Sequence, residues 1–161
     1  MSRKAPALAV RPDPLTPEQR RLCMSSIRST DTKPEMIVRR GLHALGLRYR
    51  LHDRKLPGSP DLVFAGHRAL LFVHGCFLHG HDCPLFKLPA TRTDFWEAKI
   101  AGNRSRDART LDALDAAGWR NLVVWECSMR GRARLPLDEL LGRCFQWITQ
   151  TRPSAEIGGD W

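Results

Sequence analysis

The sequence predicts an α/β fold, a mixed β-sheet flanked by helices in three layers around one core, and three observations lead to it. The apolar patterns follow the order helix, three strands, two helical segments, strand, helix, which neither an all-helical nor an all-strand fold accommodates. The strand-like runs are short, apolar and bounded by Gly, Pro and charge, whereas the helical runs repeat at i, i+4 and i+7. A chain of 161 residues can bury one sizeable core and not two. The expected organisation is a basic arm over 1–18, a single domain over 19–150 and a tail over 151–161 without periodicity.

Each element has a local reason. The arm carries Arg3, Lys4 and Arg11 among four prolines, and reads either as a segment lying along a duplex or as a disordered tail kept soluble by charge. A short helix over 19–27 follows. Thr32, Pro34 and Glu35 start the next helix as N-cap, first-turn proline and capping-box acid, and Val38, Leu42 and Leu45 give it an apolar stripe ending at Gly46. Tyr49 to Leu51 is a candidate strand. Leu62 to Phe64 and Ala69 to Val73, turning at Gly66, read as a hairpin. Pro84 to Thr93 is a loop, and Asp94 opens a helix that Gly102 and Asn103 are expected to interrupt before a second segment ends at Gly118. Leu122 to Trp125 is a buried strand that places Cys127 just past its end. Leu137 to Thr149 is a final amphipathic helix.

Lys and Arg outnumber Asp and Glu by 26 to 17, a formal charge of +9, which suits a polyanionic partner. Nucleic acid leads, with a ribosomal protein or a membrane-surface binder as the other basic classes. No apolar run approaches a membrane span and the N-terminal residues lack a signal-peptide core, so a cytoplasmic protein is expected. In a reducing compartment five cysteines at irregular spacing suit metal ligands and free thiols better than disulfides. Cys23 and Cys144 receive no role.

The chemistry concentrates in Pro60 to Cys83, which holds four of the six histidines and two of the five cysteines. Cys76, His81 and Cys83, joined by Cys127, make a Cys3His donor set typical of closed structural zinc, against the alternative of buried free cysteines and surface histidines. Asp82 between two of these ligands could compete. Asp61 at a strand start is placed to hold Mg2+ for phosphodiester chemistry, or is a turn residue bonding its own backbone. His79, not needed for zinc, is a candidate general base or a surface histidine. Glu35 caps its helix or reaches a metal-bound water. Asp107 orients an imidazole or pairs with the helix dipole.

Four runs carry a resemblance. Leu56-Pro57-Gly58-Ser59-Pro60-Asp61, Phe72-Val73-His74-Gly75-Cys76-Phe77-Leu78-His79, Phe86 through Trp96, and Val124-Trp125-Glu126-Cys127 closely resemble the very-short-patch-repair (Vsr) DNA mismatch endonucleases over roughly Arg20 to Trp147. The resemblance implies a PD-(D/E)xK, restriction-endonuclease-like nuclease core with a structural zinc site, in which Phe72-Val73-His74 stands where most relatives have an acid and a lysine.

It also implies a Mg2+-dependent, strand-specific nick 5′ of the thymine in a T·G mismatch left by deamination of 5-methylcytosine. By resemblance Asp61 and the Val73 carbonyl bind Mg2+, His79 activates water, Asp107 supports it, and Glu35 and His74 complete the site. Zinc falls to Cys76, His81, Cys83 and Cys127. Phe77, Leu78 and Trp96 would wedge the mismatched stack from one groove and Met24 from the other, with Phe77 alternatively a core residue under the zinc loop. Lys87, Arg92 and Asn103 join the DNA-contacting set. Leu78 stands where the family pattern has tryptophan, and Val73 where it has threonine. The implied partners are double-stranded DNA bearing a T·G pair and mismatch-repair proteins, with a monomeric state and no membrane. A restriction-type endonuclease on matched sites and a non-catalytic zinc DNA-binding module are the competing readings.

Overall fold

The computed structural model describes residues 16–25 and 30–161. The arm lies outside them up to residue 15. Helix α1 spans Pro17–Ser25 and α2 Lys33–Ala44. Strands β1 (Arg50–Leu51), β2 (Leu62–Phe64) and β3 (Ala69–His74) follow, then α3 (Thr93–Ala116), β4 (Arg120–Trp125), α4 (Leu137–Thr149) and β5 (Ala155–Ile157).

The two helix starts differ instructively. At α1, Thr16 and Gln19 exchange both bonds of a capping box: the Gln19 N–H donates to Thr16 Oγ1 at 3.2 Å and the Thr16 N–H to Gln19 Oε1 at 2.9 Å. At α2 only half the expected box forms. The Glu35 N–H donates to the Thr32 hydroxyl at 3.4 Å, but the Glu35 carboxylate turns inward to other partners. The α2 stripe is corrected at its end: Val38 and Leu42 are fully buried, Leu45 is 48% exposed, and Leu47, past the left-handed Gly46, enters the core instead.

One sheet has the order β1-β2-β3-β4-β5. The first three strands are antiparallel, with Leu62 opposite Leu71. β4 lies parallel to β3, with His74 opposite Trp125, and β5 parallel to β4. Parallel neighbours need long crossovers, and α3 and α4 supply them. Alternation sorts the strands between two cores. Leu62, Phe64, Leu71, Leu122 and Val124 pack with Val38 and Leu42 of α2 and Leu140 and Ile148 of α4. Val63, Leu70, Phe72, Val123 and Trp125 form the other cluster with Leu114 of α3.

Two expectations fail here. α3 is one helix of 24 residues, with Gly102 and Asn103 inside it. An exposed glycine costs a helix only about 1 kcal/mol, too little to break one held at both ends. The residues assigned to a tail contribute β5, whose start is fixed by the Ser154 hydroxyl, accepting from the Asn121 N–H at 3.0 Å and donating to Asp115 at 2.8 Å.

Candidate active site and metal centre

Chemistry-bearing side chains converge at the carboxyl ends of β3 and β4, where parallel strands leave a crevice between their outgoing loops. Asp61, at the entrance to β2, turns across the hairpin. Its Oδ2 accepts a hydrogen bond from the Val73 N–H at 2.7 Å, so the acid sits beside the backbone of β3. Burial raises its pKa from 3.8 to about 6, opposed by the Val73 bond and reinforced by the nearby Glu35 charge. An acid whose anion is penalised in this way favours a cation beside it.

Glu35 is 1% exposed. Its Oε1 lies 3.2 Å from Arg39 Nη1 and 3.1 Å from His52 Nε2, the latter off the line of a hydrogen bond. His52 Nδ1 in turn lies 3.8 Å from Asp61 Oδ1. His52, which sequence reading passed over, therefore stands between the two acids. It adopts a left-handed backbone, φ 46°, just past β1. The hairpin register holds the signal: with Leu51 opposite Leu62, residue 52 must face Asp61, and the His52 N–H approaches the Asp61 carbonyl at 3.4 Å.

The loop after β3 brings in the imidazoles. His79 Nδ1 lies 2.6 Å from Asp107 Oδ2 on α3. The His79 ring stacks on His74, with centroids 3.9 Å apart and planes 6° from parallel. Burial, then the neighbouring His79, lowers the His74 pKa to about 4, so His74 is a neutral imidazole near pH 7. Charge on His79 also acts on Asp61. Thus Asp61, Val73, His74, His79 and Asp107 come together, with Glu35 joined through His52. A cavity of about 350 Å³ opens over His74, His79 and Asp107 and receives Arg104 from α3, a guanidinium suited to phosphate.

The second cluster holds sulfur. One donor atom each from Cys76, His81, Cys83 and Cys127 lie within 4.8 Å of one another. His81 Nδ1 is 3.7 Å from Cys76 Sγ and 3.5 Å from Cys127 Sγ. A tetrahedral ion with bonds of about 2.3 Å to sulfur and 2.0 Å to nitrogen sets such pairs roughly 3.5 Å apart, so the donor set fits a metal. Burial raises the pKa of both the Cys76 and the Cys127 thiols, and a cation that displaces their protons relieves that cost. His81 stacks on Trp125 at 4.1 Å and 9°. Asp82 is exposed and outside the cluster.

Between the clusters Phe77 is half-buried, 5.1 Å from Trp96 and 6.3 Å from Phe86. The Asn103 side-chain amide donates to the Leu78 carbonyl at 2.8 Å, tying the loop to the middle of α3. Lys87 and Arg92 are exposed, the Arg92 guanidinium 4.5 Å above the Phe95 ring. The Met24 side chain lies outside the described residues.

A buried carboxylate, a histidine paired with an aspartate and a cysteine-rich donor set meet at one sheet end of a basic α/β chain, and its relatives are endonucleases. The chain belongs to the Vsr DNA mismatch endonuclease family. The family's model matches residues 12–85. The chain is 46% identical over 134 residues to the DNA mismatch endonuclease Vsr of Escherichia coli, covering 83% of this chain and 86% of that protein. It is 53% identical over 117 residues to the type II nicking enzyme V.XorIIP of Xanthomonas oryzae, covering 73% and 86%. With the type II nicking enzyme V.HpaIIP of Haemophilus parainfluenzae the identity is 43% over 115 residues, covering 70% and 82%.

Proposed function

We propose that this endonuclease is Mg2+-dependent and nicks one DNA strand 5′ of the thymine in a T·G mismatch produced by 5-methylcytosine deamination, on a three-layer PD-(D/E)xK core. The relatives named as a mismatch endonuclease and as nicking enzymes support mismatch recognition and single-strand cutting. The observation that carries the catalytic reading is the His79–Asp107 pair. A carboxylate at Nδ1 fixes that nitrogen as the N–H, which leaves Nε2 to take a proton from water.

Asp61 and the Val73 carbonyl would hold Mg2+, which when bound polarises the phosphate and acidifies water. Glu35 and His52 position Asp61 from behind, and neutral His74 supports the His79 ring by stacking. Cys76, His81, Cys83 and Cys127 would hold a structural zinc. Phe77, Leu78 and Trp96, with Met24, would enter the mismatched stack, where a mispair is cheaper to open than a matched pair. Lys87 and Arg92 would contact backbone phosphates. Asn103 contributes by fixing the Leu78 loop. The protein acts in the cytoplasm as a monomer, with mismatch-repair proteins as further partners. Among the described residues no helix is long and apolar enough to cross a membrane.

Asp61→Ala tests the catalytic assignment. Nicking should be lost while affinity for T·G duplex is retained; unaltered nicking would remove Asp61 from the mechanism. A second reading, a restriction-type enzyme acting on matched sites, draws on the relatives named type II nicking enzymes. Equal cutting of T·G and matched T·A duplexes would favour it.

A further inference from the structure

Residues 158–161 pass beside the sulfur cluster, next to Cys127 and His81, and nothing in the catalytic reading uses them. Three contacts place them there. The Gly159 N–H donates to Cys127 Sγ at 3.4 Å. The Asp160 N–H donates to the Ala133 carbonyl at 2.9 Å and anchors the turn. The Trp161 ring lies 6.2 Å from His81, tilted by 53°. Strand β5 leads the chain to this position, and the Glu156 carboxylate accepts from Trp125 Nε1 at 2.9 Å, with Trp125 itself stacked on His81.

The glycine at 159 has a steric reason. A Cβ there would lie 2.6 Å from the Ala133 carbonyl oxygen and 2.8 Å from the Cys127 carbonyl oxygen, both backbone atoms that cannot step aside. Only glycine lets the backbone approach closely enough for its N–H to meet the sulfur. An N–H aimed at a sulfur is weakly satisfied by a neutral thiol and much better by a thiolate, because the anion is the stronger acceptor. Groups that hydrogen-bond metal ligands in this way fix ligand orientation and slow the loss of metal.

The geometry points to Gly158–Trp161 as an outer wall of the metal centre, with the Gly159 N–H as a positioning donor to the Cys127 thiolate that retains the bound ion. The inference rests on the zinc reading of the four ligands. It makes β5 and the residues after it part of the metal site.

The test uses the full chain purified with zinc, its metal content and its rate of zinc transfer to the chromogenic chelator 4-(2-pyridylazo)resorcinol. Gly159→Ala should lose zinc at least about tenfold faster, in line with the usual cost of removing an outer partner of a metal ligand. Gly142→Ala, the same change where a Cβ meets nothing within 4 Å, serves as the control. Because Gly159→Ala could disturb folding by itself, a variant lacking residues 158–161 removes the donor without adding an atom, and should show the same acceleration. Cobalt-substituted protein gives an independent readout: loss of the N–H to sulfur bond should move the sulfur-to-cobalt absorption to lower energy in both variants. Parent protein without one equivalent of zinc would overturn the zinc reading and this inference together. Parent protein with zinc, and variants that match its release rate and cobalt spectrum, would overturn the inference alone.

Discussion

His79 Nδ1 lies 2.6 Å from Asp107 Oδ2, across 28 residues of sequence and on a different element, and this pairing sets His79 apart from its neighbours His74 and His81. His74 stacks on the same ring but is buried and held neutral, with a pKa lowered to about 4. His81 faces the sulfur cluster. Of these three histidines, His79 alone among the described residues has a carboxylate within hydrogen-bonding distance of its ring, which suits it to the proposed transfer of a proton from water.

Asp107→Asn should therefore leave DNA affinity intact and lower the single-turnover nicking rate by roughly 10²- to 10⁴-fold, the usual range for losing an oriented general base. Asparagine keeps the shape but offers either an amide oxygen without charge or an N–H. A variant rate within a few-fold of the parent would detach Asp107 from catalysis.

Asp61 gives a stability signature of its own. In the unfolded chain it ionises near 3.8 and in the fold near 6. Below the lower value both states hold the proton and nothing is lost. As pH rises through about 6 the folded state must carry a buried anion, so the associated stability disappears, on the order of 2–3 kcal/mol. Without added Mg2+, Asp61→Asn should melt higher than the parent at pH 7.5, with the gap closing toward pH 4. Equal midpoints at pH 7.5 would contradict the burial argument.

Cys83→Ala leaves three of the four donors around the proposed zinc. With one ligand gone the loop from Cys76 to Cys83 loses its tie to Cys127, so both thermal stability and nicking should fall. Chelation of the parent's zinc should reproduce that loss. A stable, fully active Cys83→Ala protein would deny the metal a structural role.

Phe77 packs edge-on to Trp96 at 5.1 Å, a position from which it could either fill the loop or enter a base stack. If it enters, Phe77→Ala should lower T·G binding by the worth of one stacked base, about 1–3 kcal/mol or roughly 5- to 150-fold, with matched-duplex binding little changed. Leu78→Trp should strengthen mismatch binding, since an indole stacks where leucine only wedges. Parallel losses on both duplexes would assign Phe77 to packing. Competition gel shifts with the two duplexes distinguish these outcomes.

Much of this was legible in the residues because it is local or spacing-coded. The hairpin at Gly66, the bounds of α4 and the Cys76, His81, Cys83 and Cys127 set all follow from periodicity and ligand type. What escaped depends on partners distant in sequence. β5 is the three residues Ala155-Glu156-Ile157, too short to show a period, and they become a strand because β4 offers an edge and Ser154 pins its start. His52 has no local signal, since its position between Glu35 and Asp61 comes from strand register and a left-handed turn. Glu35 was legible as a cap, but the buried carboxylate serves Arg39 and His52 instead of closing its own box. The interruption expected at Gly102 read a weak propensity as a stop, where contacts such as Asn103 to Leu78 hold α3 in one piece.

Mismatch-directed nicking is tested by cleavage mapping on a duplex carrying one T·G pair, each strand end-labelled in turn, with Mg2+ and the matched T·A duplex alongside. One break is expected, immediately 5′ of the mismatched thymine, on that strand alone, absent without Mg2+ and absent from the matched duplex. Cutting of both strands, or equal cutting of the matched duplex, would contradict it.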